Sequence, residues 1–250
     1  MPHFKLTISY DGTTFVGWQR QASGVSIQGL LEDALAELEG APVAVAGAGR
    51  TDAGVHALGQ VASVSLSREI DAATVLRATN ARLPETVRVL DAIDVGPTFH
   101  ARFHATSKSY RYRIWNADVL SPFERAYVWH VPAPVLDVKA MSAAAALLEG
   151  RHDFAAFQTA GAETKTTERV VFSAEVAGGP SLITFDIRGD GFLRHMVRGI
   201  VGSLVEVGRG RYPATWIQDV LASRARANAG PTAPAAGLFL VRVEYEEPDL

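Results

Sequence analysis

Two kinds of apolar spacing follow each other along this chain in an order that leaves few folds open. Phe4, Leu6, Ile8 and Tyr10 alternate with polar neighbours, the period-two pattern of a half-buried strand. Ser26 stands where it can cap a helix whose Ile27, Leu30, Leu31, Ala34, Leu35 and Leu38 recur at helical spacing until Gly40 stops it. Strand-like runs follow around 43–47 and 58–66, Asp71 opens a second helix ending near Leu83-Pro84, and Val87 to Val95 reads as a strand. The first half therefore runs β-α-β-β-α-β. After Gly96-Pro97 the same order begins again: strand 109–116, helix 137–149, strands 169–176 and 181–188 joined at Gly178-Gly179-Pro180, helix 192–207 and strand 238–246, with an added helix at 214–224. No residue-level repeat accompanies it. The expected class is α+β, in two ferredoxin-like or RRM-like halves whose antiparallel sheets flank a central cleft, with domains over 1–106 and 107–250. A single α+β domain with a coincidental order is the alternative.

Composition narrows the chemistry. With 48% apolar and 20% charged residues among 250, the chain has the ordinary globular mixture and a sizeable core to bury. It has no cysteine, which removes disulfides, a CxxC redox pair, an iron–sulfur cluster and thiolate zinc. No apolar run approaches the roughly 18 residues that cross a bilayer, and Met1-Pro2-His3-Phe4-Lys5 leads straight into a strand, so a cytoplasmic protein with no membrane partner is expected. The formal charge of −3 argues against nucleic acid, but its distribution argues for it. No acid falls between Asp94 and Asp118, where Arg102, Lys108, Arg111 and Arg113 stand with His100 and His104. From Asp190 to Glu244 only Glu206 and Asp219 offset Arg194, Arg198, Arg209, Arg211, Arg224, Arg226 and Arg242.

The most unusual segment is Gly47-Ala48-Gly49-Arg50-Thr51-Asp52-Ala53-Gly54-Val55-His56. It is not a phosphate loop, since it has no GxxxxGK[ST] pattern and a strand follows rather than a helix. Its glycines permit close backbone approach and positive φ, so the loop can hold Asp52 in a constrained geometry; an Asp that caps a turn is the plainer reading. Asp52 and His56, and His100 and His104, are four apart but lie in loops without a completed ligand set, so no metal is expected. There is no GxSxG elbow for a hydrolase. On the strand around Ser109 to Trp115, Tyr110, Tyr112 and Ile114 share one face and Arg111, Arg113 and Trp115 the other, an arrangement suited either to stacking bases or to packing a core. On the helix expected from Phe192, Arg194 and Arg198 lie one turn apart off an apolar stripe, and Gly199 and Gly202 cost helix stability that a close approach would explain.

Taken together, YDGTTFVGWQRQ at 10–21, GRTDAGVHALGQV at 49–61, FHARFHATSKSYRYRIWN at 99–116, HDFAAF at 152–157, DGFLRHMVRGIVGSLVEVG at 190–208 and GLFLVRVEY at 237–245 resemble the tRNA pseudouridine synthase A family over almost the whole chain. The resemblance implies an isomerase that converts uridine to pseudouridine at positions 38, 39 and 40 of the anticodon stem-loop, as a homodimer bound to tRNA without cofactor or metal. It assigns Asp52 as the catalytic aspartate in the first domain, with Tyr110 stacking on the target base and Arg198 pairing with the aspartate from the second. Arg50 is expected to grip the displaced backbone or fill the vacated stack, and Gln19, Arg20, Arg111 and Arg194 to contact the RNA. Segments 117–132 and 158–168 receive no role. The alternative is a non-catalytic RNA-binding module of two RRM-like halves, against which stands the absence of an RNP1 word. A metal phosphohydrolase built on Asp52 and His56 ranks behind both.

Overall fold

In the computed structural model, which describes residues 1–159, 165–179 and 181–246, the N-terminal alternation becomes β1 (His3–Tyr10), with Phe4, Leu6 and Ile8 fully buried. The Ser26 hydroxyl accepts the Gly29 N–H and starts α1 (Ile27–Glu39), which ends at Gly40 in the left-handed region. After β2 (Val45–Gly47) and β3 (His56–Ser65), the Asp71 carboxylate accepts the Thr74 N–H to cap α2 (Ala72–Asn80), and β4 (Val87–Val95) follows. β1 lies between β3 and β4, antiparallel to both. The other edge of β3 is shared: β2 pairs antiparallel at Ala62–Val64, and β10 (Leu238–Tyr245) pairs in parallel at His56 and Ala57. Helices α1 and α2 pack together, and α2 packs on β4.

The chain divides into two compact units, Met1–Thr106 with Phe239–Leu250, and Ser107–Leu238. The last strand thus falls mainly with the first unit and pairs with β3 there, instead of lying wholly within 107–250. Periodicity marks a strand but carries nothing about its partner.

In the second unit β5 (Ala105–Trp115), β9 (Leu182–Gly189), β8 (Glu168–Gly178) and β7 (Gly150–Asp153) form antiparallel neighbours in that order, and β6 (Trp129–His130) runs parallel to β5. The Asp137 carboxylate caps α3 (Val138–Ala146), which packs on β8 and on α4 (Met196–Gly208); α5 (Trp216–Ser223) packs against β7. The α+β class and its antiparallel-dominated sheet stand as expected. Pro180, in the expected turn, and 160–164 lie outside the described residues.

Two expected starts are corrected. β5 begins at Ala105, not at 109: Ala105 to Lys108 are strand, with Lys108 opposite Gly189 of β9, but lack the apolar alternation that would announce it. α4 begins at Met196, not at 192: His195 has φ 63°, outside the helical region, so Phe192, Leu193 and Arg194 precede the helix. Arg194 and Arg198 therefore do not share a helical face.

Candidate active site

Asp52 sits half-buried in a turn closed by the Val55 N–H donating to its carbonyl (3.1 Å), with Gly54 at φ 77°. This turn is held by the loop that leaves β1. Trp18 N–H donates to the Thr51 carbonyl (3.1 Å), Gly54 N–H to the Phe15 carbonyl (3.4 Å), and Gly12 N–H to His56 Nδ1 (3.0 Å). Tyr10 Oη and Thr51 Oγ1 are 2.8 Å apart, and Gln60 Nε2 donates to the Gly49 carbonyl (2.9 Å). A Cβ at Gly12 would collide with the Val55 carbonyl, and one at Gly17 would come within 2.5 Å of the Thr51 carbonyl, so glycine is what lets the two loops clasp. Asp52 is thereby oriented by main-chain bonds on both sides of it, the preorganisation that a reacting carboxylate needs.

Burial pushes the Tyr10 hydroxyl up to about 12, against the opposing hydrogen bonds from Thr51 and Gln60. It stays protonated through the physiological range and available to Thr51. In the unfolded chain a tyrosine ionises near pH 10. The stability held in the Tyr10 proton is therefore complete below about pH 10 and lost as pH rises toward 12. Tyr10→Phe removes the bond to Thr51 and is expected to cost about 1 kcal/mol of stability, with an alkaline loss between pH 10 and 12 smaller than that of the wild type. Thermal melts at pH 7, 10 and 11.5 read both effects.

The remaining candidates of the first unit are Arg50, Gln19 and Arg20. Arg50 is exposed beside the turn. Gln19 Nε2 donates to Gln28 Oε1 (2.6 Å), and Arg20 is committed to α1 through Glu32 (2.7 Å), Asp33 (2.6 Å) and the Gly29 carbonyl (3.1 Å). Both therefore brace the loop against α1.

In the second unit Tyr110 is 8% exposed, less free than a strand-end position would be, and meets the Phe192 ring edge-on at 5.0 Å. Tyr112 and Ile114 on the same face are fully buried, so this face is largely core. Arg111 lies on the opposite face and pairs with Asp186 (2.8 Å). Arg198, half-buried in the first turn of α4, donates through Nε to the Ala233 carbonyl (2.7 Å), while Ala233 N–H returns a bond to the Arg198 carbonyl (3.0 Å). Tyr112 Oη donates to the Pro234 carbonyl next along (2.7 Å); burial holds this hydroxyl well above the usual tyrosine range, and the Arg198 charge pulls the other way. Arg194 is exposed. Arg113, Arg209 and Arg211, members of the two basic stretches, pair with Glu124 (2.8 Å) and Glu206 (2.9 and 2.6 Å). Sequence reasoning missed the parts played by Tyr10, Thr51, Phe192 and the 230–234 segment, and weighed His56 only as a metal ligand; glycines face Thr51 (Gly17), Phe192 (Gly189) and Pro231 (Gly202).

Comparison with known proteins then defines the class. The family profile described as tRNA pseudouridine synthase matches residues 6–104 and 144–246, and this chain belongs to that family. Among full-length relatives, tRNA pseudouridine synthase A of Myxococcus xanthus is 49% identical over 248 residues, 99% of this chain and 93% of the relative. The protein of the same name from Moorella thermoacetica is 49% identical over 98% of this chain and 100% of its own length, and that of Syntrophotalea carbinolica 46% over 98% and 97%. A solved archaeal box H/ACA sRNP Nop10-Cbf5 complex shares 12% identity, covering 90% of this chain and 60% of that one at a TM-score of 0.34, too low to add to the argument.

Proposed function

We propose that this protein isomerises uridine to pseudouridine in tRNA, at positions 38, 39 and 40 of the anticodon stem-loop, with Asp52 as the essential carboxylate. The observation that carries the reading is the clasped turn: Asp52 is the one acid within the 49–61 word, and two loops spend their glycines and main-chain bonds on holding it. Membership of the tRNA pseudouridine synthase family supports the same reading.

The reaction breaks the bond from ribose C1′ to N1, turns the uracil, and joins C1′ to C5; the C5 proton leaves and N1 gains one. Atoms and electrons balance within the nucleotide, so no external group, cofactor or metal is required. What the protein supplies is a carboxylate, at C1′, at the base or at a ribose proton, and a pocket that retains the freed uracil. The target nucleotide leaves its stack at a cost of a few kcal/mol, and the exposed Arg50 grips the displaced strand. Tyr110 stacks on the uracil and Arg198 pairs with Asp52, both roles resting on the resemblance. The working form is a cytoplasmic homodimer.

The test is incubation of the purified protein with unmodified tRNA, with and without chelator, followed by chemical detection of pseudouridine. Conversion in both samples, with tRNA affinity falling steeply between about 50 and 200 mM salt, is the expected result. Tight, salt-sensitive binding without conversion would instead mark an RNA-binding module.

A further inference from the structure

The loop at 99–104, in the first unit, is pinned to the sheet and displays an aromatic ring. Ala101 is fully buried, its N–H donating to Ser63 Oγ (3.2 Å) and its carbonyl accepting from Tyr245 Oη (2.8 Å). The two histidines spend Nδ1 on the loop itself: His100 accepts the Arg102 N–H (3.1 Å) and His104 the His100 N–H (3.4 Å). Phe99 anchors the near end against Tyr245 at 5.2 Å. From this fixed loop Phe103 stands 72% exposed, with the His100 ring 4.3 Å away and the Arg102 guanidinium 5.7 Å from its centroid. Arg102 makes no ion pair with a described acid, unlike Arg111, Arg113, Arg209 and Arg211, and no carboxylate occurs between Asp94 and Asp118.

We infer that Phe103 is a stacking platform for an unpaired nucleobase of the bound RNA, distinct from the reacting uridine, with Arg102 on the adjoining phosphate. An exposed aromatic beside a guanidinium is the chemistry that holds single-stranded RNA, and a loop already ordered loses little entropy on binding. Phe123 makes the contrast: it is 89% exposed, but among the described residues no ring or guanidinium frames it as His100 and Arg102 frame Phe103.

The inference rests on the proposed tRNA substrate, and the test separates the two. Wild type, F103A, F103Y and F123A are compared for dissociation constant with unmodified tRNA at fixed salt, for the single-turnover rate at saturating enzyme, and for mass by light scattering. F103A is expected to weaken binding roughly 5- to 100-fold with its saturating rate within about twofold of wild type, F103Y to restore affinity, and F123A and every mass to stay unchanged. Affinity of F103A within about twofold of wild type, or a loss of binding that accompanies a change of mass, would overturn the platform while leaving wild-type conversion standing. No conversion by the wild type would instead remove the proposed function.

Discussion

Asp52→Asn is expected to abolish pseudouridine formation while leaving tRNA affinity within about twofold of the wild type. Asn has nearly the shape of Asp, and the bonds that set the turn come from neighbours or from the main chain: Val55 N–H to the residue 52 carbonyl, Trp18 N–H to Thr51, and Tyr10 to the Thr51 hydroxyl. None of these needs the carboxylate, so these bonds survive the substitution. What is lost is the negative charge, and with it nucleophilic attack, proton removal, or stabilisation of positive charge at C1′. Single-turnover rates should fall by at least about 10²–10⁴-fold, the span of a general acid or base, and further if the carboxylate bonds covalently. Retention of more than about a tenth of the wild-type rate would remove Asp52 from the chemistry.

The second large effect falls where no reacting atom is involved. By helix propensity alone, Gly199→Ala and Gly202→Ala should each stabilise α4 by about 1 kcal/mol. Packing reverses one of them. A Cβ at Gly199 meets the Phe157 carbonyl at 3.4 Å, a tolerable contact, whereas one at Gly202 runs into the Pro231 carbonyl. That carbonyl cannot retreat cheaply, because the segment is tied down on both sides: Gly230 N–H to Ser203 Oγ (2.9 Å), Arg226 Nη1 to the Gly230 carbonyl (2.8 Å), and Ala233 to Arg198 in both directions. Gly202→Ala is expected to cost about 3 kcal/mol or more, lowering Tm by roughly 6–12 °C, and to disturb Arg198 through Ala233. Gly199→Ala should stay within about 1 kcal/mol of wild type in the same melts. Equal melting temperatures for the two variants would contradict the packing account.

The contrast between these glycines also shows what a sequence carries. Both stood out as helix-weakening residues beside Arg198, and a close approach was the reason inferred; only the fold distinguishes the one that touches Pro231 from the one that merely faces Phe157. Local signals were legible where a side chain bonds its own neighbourhood: Ser26 and Asp71 each cap the helix they precede. Signals failed where the decisive partner is distant. Leu193 continues the apolar spacing of α4 and so hid the break at His195, whose positive φ no pattern announces. The basic stretches read as a phosphate grip, but Arg111 meets Asp186 of β9, Arg113 meets Glu124, Arg209 and Arg211 share the neighbouring Glu206, and Arg20, from the first motif, braces α1. The Asp52 turn is marked in the sequence by its unusual glycines, whereas the mechanical part of the loop that clasps it is not, because a Gly12 that meets Val55 and a Tyr10 that meets Thr51 are tertiary facts.

The most direct test is a position-resolved pseudouridine map of an unmodified tRNA carrying uridines inside and outside the anticodon arm, after incubation with wild type and with Asp52→Asn in parallel. The account predicts pseudouridine at 38, 39 and 40 wherever uridine stands there, none at the other uridines, and none at all with Asp52→Asn. Unchanged uridine throughout the wild-type sample, or the same map from both proteins, would contradict it.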